Sequence, residues 1–585
     1  MISHLVLIVV ATLLLGYVFQ GRFLARRLNV DDPSPTPACQ INDGVDYVPA
    51  KPALLLGQHF SAIAAAGPIV GPILACLWFG WLPALLWIIL GAIFIGGTHD
   101  FCSLVSSLRH KAASIGEIVK EHMSATSHRF FLIFVWLTLL YVIIAFTDIT
   151  AHTFKTMVGD VAFGPAVAAS SFLYLMVAVA MGILLYRLKV SLSYATIIFL
   201  PVTLFVIWVG PHLPAQILTS LSAVSIKQWN AVILLYCLVA SLIPLWLLLQ
   251  PRGYLGGWFL YLIIIIGLMG ALFGHFRMEY PALNLTGFKS SVNGKAIFPI
   301  LFITVACGAC SGFHGVVSSG TTSKQISKYK DSLVIGYGAM LLEGLVAVLA
   351  MATVIMLPKG ADMLKSDPNI IYANGIAQYL GLIRIDYQVA LAFALLAFST
   401  FVYDTLDVCT RLARYILQEL TGWQSKAGGF VAAVISLIIP FIFLLLTKEK
   451  GYLVAWPIFG ASNQLLASLT LLAISVWLIK TGKNPIYTIL PMLFMLIMTI
   501  WSLFNLTIPF IKTLSGLTPG KLVPDVVISG VCGIILLCLS LVLVWEAART
   551  LFLERGKGKG GDTNQTPGGK RRKEQGEREV LTARA

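Results

Sequence analysis

Charge is what this sequence has least of: Asp, Glu, Lys and Arg supply 11% of its 585 residues, where a soluble domain carries about 25%. So few charges cannot wet a chain of this size, which excludes a water-soluble globular protein. The nine cysteines lie mostly inside apolar runs and form no extracellular disulfide framework, so they read as small packing residues. No strand precedes Gly320 and the Walker spacing is absent, which argues against an ATP-driven pump. No nucleophile and base stand at a useful spacing, and an enzyme is not indicated. Cys307, Cys310 and His314 have the spacing of a partial metal site, yet only three ligands sit in an apolar stretch, which favours core packing. No cofactor is implied. The connecting segments reach only about 30 to 40 residues, too short for a soluble signalling domain.

What the chain has instead is apolar length, with 58% hydrophobic residues. A hydrocarbon core of about 30 Å takes roughly 20 such residues per helix. Runs of that kind predict about fifteen spans, at residues 2–20, 60–79, 82–98, 130–147, 163–185, 192–210, 230–250, 257–274, 296–316, 333–357, 386–404, 428–446, 453–479, 486–510 and 525–545; residues 296–316 also read as a re-entrant segment. The expected protein is all-α and polytopic, with the bilayer as its solvent. Its divisions are a first transmembrane helix (1–20), a cytoplasmic loop (21–58), a transporter core (59–405), C-terminal transmembrane helices (406–545) and a disordered basic tail (546–585). With the N-terminus outside and the C-terminus cytoplasmic, 29 of the 41 Lys and Arg face inward, ten of them in the tail. That bias is the positive-inside pattern. It accounts for the net charge of +15 without nucleic-acid binding.

Two spans carry helix breakers. Gly67-Pro68-Ile69-Val70-Gly71-Pro72 interrupts the second, and Ser241 with Pro244 interrupts the seventh. Proline removes a donor and clashes with the preceding turn, and unwound backbone at membrane depth must line protein or a watery cavity. The two interruptions stand five spans apart in opposite sense. That predicts a five-plus-five inverted repeat with broken helices, whose unwound parts face each other and bind a small-molecule substrate. A plain proline kink in each helix is the alternative.

The chain also resembles the carbon starvation protein A family. The residues that carry the resemblance are Gly67 to Pro72, Phe79 to Pro83, His99 to Phe101, Arg109-His110 and Ser114 to Ile118. Later ones are Ser311 to His314, Ser318 to Gln325, Asp404 to Asp407, Thr410 to Tyr415 and Trp456 to Ala467. The resemblance covers about residues 50–480. It implies an inner-membrane transporter induced on nutrient limitation, linked to peptide and to pyruvate uptake with protons, and built on broken helices in an inverted repeat. His314, inside a matching motif, joins Gly67, Pro68, Gly71, Pro72, Ser241 and Pro244 as the expected substrate-binding set.

Charges inside a membrane are costly and mark function by default. His99-Asp100 is expected at the cytoplasmic end of the third span, near Arg109 or Lys111, as a structural or gating pair. Asp404, Asp407 and Arg411 share a helix face, with Asp407 and Arg411 at the favourable i, i+4 spacing. Ser318, Ser319, Thr321 and Thr322 end the ninth span; in broken-helix transporters the helix seven places after the first broken one supplies hydroxyls to a coupling-cation site, while a capping motif is the plainer reading. Glu343 lies ten residues into its apolar run, about 15 Å along the helix and so near mid-membrane. A charge there costs at least about 2.5 to 3.5 kcal/mol, which makes Glu343 the expected coupling group for a proton, or for sodium. A membrane-embedded nutrient sensor or scaffold without net transport is the alternative function.

Overall fold

The computed structural model describes residues 1–44, 47–158, 160–244, 246–447, 451–515 and 524–558. Helix dominates because the backbone must satisfy its own hydrogen bonds in lipid; the only strands among the described residues form two short hairpins, Met157–Val158 with Val161–Ala162 and Leu285–Thr286 with Lys289–Ser290.

The first helix, α1 (Ile2–Leu28), continues eight residues beyond its expected end. A broken pair follows, α2 (Pro52–Ile63) and α3 (Gly67–Phe79), bent by 47°. Then come α4 (Trp81–Arg109), α5 (Ile115–His122), α6 (Ala125–Thr153), α7 (Gly164–Tyr186) and α8 (Leu192–His212). A second bent pair, α9 (Ala215–Ala223) and α10 (Ile226–Leu242), turns through 98° before α11 (Leu249–Phe273). Two short helices, α12 (Ile297–Thr304) and α13 (Gly312–Val317), precede α14 (Leu333–Ile355), α15 (Pro368–Gly381) and α16 (Tyr387–Thr421). The chain closes with α17 (Lys426–Leu446), α18 (Gly451–Lys480), α19 (Ile486–Leu514) and α20 (Pro524–Gly558).

Twelve helices are long and apolar enough to cross a membrane, or fourteen if each bent pair is one span, among the described residues. Counted as fourteen, the spans differ from the expected fifteen only at residues 296–316, which form two short helices around an unwound stretch. The protein is thus a multi-pass helical membrane protein. Its boundaries differ from expectation at both ends: part of the expected loop 21–58 is helical, and α20 makes 546–558 helical rather than tail. Residues 559–585 lie outside the described residues.

The centre of the bundle holds α6, α14, α16 and α18, which are almost wholly enclosed, while α1, α8 and α19 turn most of their apolar side chains outward. That outward apolar face is what lipid requires. Close approach in the centre depends on small residues, as membrane packing favours: a side chain at Gly257 of α11 would run into the backbone of Gly57 in α2.

Candidate functional site

The unwound turn of the first broken pair is Ala64–Ala66, and Gly67 opens the next helix. The expectation that residues 67–72 are unwound is therefore displaced by one turn. Pro68 sits at the start of α3, where a missing N–H costs nothing and its fixed φ suits the helix, while Pro72 is accommodated inside it. The expected partner at 240–244 is also displaced. α10 ends at Leu242, Ile243 is extended (φ −75°, ψ 156°) and Pro244 is exposed in the turn to α11, because a residue before proline avoids the helical region. Ser241 bonds only its own helix, to the Leu238 carbonyl at 2.8 Å. What faces Gly67 and Gly71 is residues 304–307: a side chain on Gly67 would meet Cys307, and one on Gly71 the Thr304 carbonyl. The discontinuity that faces the first is thus 305–311, between α12 and α13.

Both breaks expose orphan backbone groups, and remote side chains satisfy them. Thr405 of α16 donates to the Ala62 carbonyl at 3.1 Å, and Trp87 of α4 donates to Val305 at 3.0 Å. α18 supplies two adjacent caps. Asn463 accepts the Phe313 N–H at 2.9 Å and donates to Ser311 Oγ at 3.0 Å, while Gln464 donates to the Phe302 carbonyl. Sequence reasoning met Asn463 and Gln464 only as family-like residues, since a cap 150 positions from its backbone partner leaves no local signal.

Beside the breaks runs a fully buried line of titratable groups. His99 and His314 each place Nδ1 2.7 Å from an oxygen of Asp100. His314 Nε2 lies 3.2 Å from Glu343 Oε2. A carboxylate only accepts, so both rings carry hydrogen on Nδ1. The far nitrogen of His314 and both Glu343 oxygens are buried without a hydrogen-bond partner, so a small turn of either side chain would let one proton sit between them, on the ring or on the carboxyl group. His99 and Asp100 are therefore interior residues of α4, not its end. Arg109, their expected neighbour, instead binds Asp32 at 2.6 Å. α4 tolerates the buried pair because the second broken segment brings His314 to it.

A second cluster is built on α11 and α16. Arg252, buried to 1% exposure, lies 3.1 Å from Asp404 by Nε and pairs through Nη1 with Asp407. Ser61 of α2 donates to Asp404, and Tyr236 of α10 donates to Asp407 at 2.8 Å. Rings of Tyr236 and Tyr403 flank the guanidinium. Asp407 thus pairs with Arg252 rather than with Arg411. Arg411 donates to the Ala240 and Ile243 carbonyls at 2.8 and 2.7 Å, capping the α10 C-terminus where a cation is favoured.

Between the clusters lies a narrow cleft with about 50 Å³ free for water-sized groups. It brings together Gln58, His59, Thr321, Thr322, Asp404 and Arg411. His59 Nδ1 is 2.9 Å from Thr322 Oγ1. Thr321 bonds back to the Val317 carbonyl at 3.0 Å, as a helix-end hydroxyl does. Ser318 Oγ is buried without a partner, and Ser319 turns away to receive the Ile115 N–H at 3.3 Å. His314, Glu343 and Gly67 to Pro72 stand behind this cleft and do not line it. Cys307 and Cys310 are free thiols, and Cys307 lies 3.8 Å from Ser311 Oγ, without a metal arrangement with His314.

Two discontinuous helices capped from outside, a polar cleft beside them and a buried acid–imidazole line define a polytopic membrane protein of the broken-helix type. The model of the carbon starvation protein CstA family matches residues 2–374 and 361–502, and the chain belongs to that family. It is 31% identical over 559 residues to a peptide transporter CstA of Helicobacter pylori (strain J99), covering 83% of this chain and 79% of the relative. It is 29% identical over 586 residues to the pyruvate/proton symporter BtsT of Escherichia coli (strain K12), with 84% and 80% covered. Among solved structures it is similar to a manganese transporter of Eremococcus coleocola at 13% identity and a TM-score of 0.43, covering 87% of this chain and 99% of that one.

Proposed function

We propose that the chain is a secondary transporter that takes up a small carboxylate-bearing solute, pyruvate or a short peptide, together with a proton. The observation that carries this reading is the His314–Glu343 contact, buried beside both helix breaks and able to hold one proton in either of two places. The names of the relatives supply the substrate classes, and one of them supplies proton coupling. In this reading the cleft admits the solute. Arg411 and Lys324 stand on its wall to meet a carboxylate, while Thr321 and His59 offer hydrogen bonds. The α2–α3 and α12–α13 breaks are the corresponding parts of the inverted repeat. The membrane is the bacterial inner membrane, the N-terminus is outside and the C-terminus cytoplasmic, with residues 297–322 making the additional crossing. The setting for such uptake is carbon limitation.

Counterflow in proteoliposomes, with labelled pyruvate, other small monocarboxylates and dipeptides run in parallel, tests the reading. Exchange of at least one of these classes is the expected result. No exchange of any of them by reconstituted, correctly folded protein would instead support a sensor or scaffold. Within the same assay, Thr321→Val should lower driven uptake by roughly tenfold, about the worth of one hydrogen bond of 1 to 1.5 kcal/mol, with thermal stability unchanged. Wild-type uptake in that variant would return the hydroxyl to simple capping.

A further inference from the structure

We propose that His110, Glu121 and His122 form a binding site for a divalent transition-metal cation of the zinc class. His110 follows the last residue of α4, and the other two close α5. The Nε2 atoms of His110 and His122 stand 2.7 Å apart, and a Glu121 oxygen is 4.0 Å from the latter. All three ligand atoms fall within 4.8 Å of one another.

The ring of His110 is prepared for this role from its other side. Its Nδ1 lies 2.6 Å from the Ser106 carbonyl, which fixes the hydrogen on Nδ1 and leaves the Nε2 lone pair aimed at His122. That is the outer-shell arrangement usual for a metal-bound imidazole. The edge of Trp477, with ring centroids 5.4 Å apart, holds the ring in place. Two imidazole nitrogens meeting head-on need a proton or a cation between them. At Zn–N distances of about 2.0 to 2.1 Å in a tetrahedral site, the two nitrogens would stand about 3.3 Å apart. The nitrogens therefore have to separate by about 0.6 Å, and both rings have to turn so that their lone pairs meet off the line between them. The Glu121 oxygen has to close in from 4.0 Å, again by side-chain rotation. Glu121 supplies an exposed third ligand, and water takes the fourth position.

Three neighbouring cations are engaged elsewhere. Arg109 binds Asp32, Lys120 binds Glu117 at 3.2 Å, and Lys483 lies over the Trp477 ring. The nearby Glu117, His128 and Glu419 group also has ligand spacing, but it holds the Lys120 ammonium, which makes it a control. Imidazole and carboxylate ligands suit Zn²⁺, Ni²⁺ and Cu²⁺ over Mg²⁺ or Ca²⁺. A bound ion would join α5 to the end of α4, the helix that carries His99 and Asp100.

The test is calorimetric titration of ZnCl₂ into the untagged, metal-stripped full chain in detergent, with Co²⁺ absorption as a second readout. One saturable equivalent is expected. His110→Gln and His122→Gln should each weaken it at least about tenfold, exposed Glu121→Ala should weaken it without changing the metal-free melting temperature, and Glu117→Gln should leave it unchanged. Absence of saturable binding would overturn the proposal. So would binding that survives in both histidine variants, or that is lost equally in Glu117→Gln.

Discussion

Glu343→Gln is expected to abolish pH-driven accumulation of substrate while leaving counterflow intact. The glutamine amide has the shape of a protonated glutamate and can donate to His314 Nε2, now 3.2 Å from the carboxylate, but it cannot release a proton. The variant therefore imitates one of the two proton positions and forbids the other. Among the described residues no group donates a hydrogen bond to either Glu343 oxygen, and His314 is the imidazole beside it, so no second neighbour stands ready to take over the exchange. Paired assays on one preparation decide the matter, uptake under an imposed pH gradient and exchange without one. The accumulation ratio should fall to the level of empty liposomes, with exchange within a few-fold of wild type. Normal pH-driven accumulation would remove Glu343 from coupling; failure to insert or fold would show that it ties α14 to the broken segment.

Arg252→Leu should produce a large loss of stability. Removing one partner of a buried ion pair costs about 3 to 5 kcal/mol, because the other charge is left without compensation, and here both Asp404 and Asp407 depend on the same guanidinium. Thermal unfolding in detergent should show a lower midpoint, and combining the change with Asp404→Asn and Asp407→Asn should recover part of it. An unchanged midpoint in the single variant would mean that the two carboxylates are neutral or otherwise compensated.

The helical, membrane-spanning character was legible because hydropathy over twenty residues is a local property. The broken helices were legible only where proline marked them. The first break was found within one turn. The break that faces it, Val305-Ala306-Cys307-Gly308-Ala309-Cys310-Ser311, contains no proline, so no local signal marked it, whereas Pro244 marked a turn that does not face the first break. Charged residues misled in a related way. His99-Asp100 looked like the end of a span and Arg252 like a loop residue, since isolated charges normally sit at the membrane surface. Their partners, His314 and Asp407, lie more than 150 positions away. Glu343 was identified because its placement needed only a count along one helix, whereas Asp407 with Arg411 satisfied a local spacing rule that the tertiary contact with Arg252 overrides.

Asn463 and Gln464 tie three helices together. One rod, α18, grips the backbone on both sides of 305–311. Sliding the half-helices past it would strip two enclosed peptide groups of their partners, at about 1 to 3 kcal/mol for each. In the transport cycle proposed above, α12, α13 and α18 are accordingly expected to move as one unit. The first broken pair is fastened instead to α16, by the Ser61–Asp404 and Thr405–Ala62 contacts, and in the same cycle it is expected to stay with that helix.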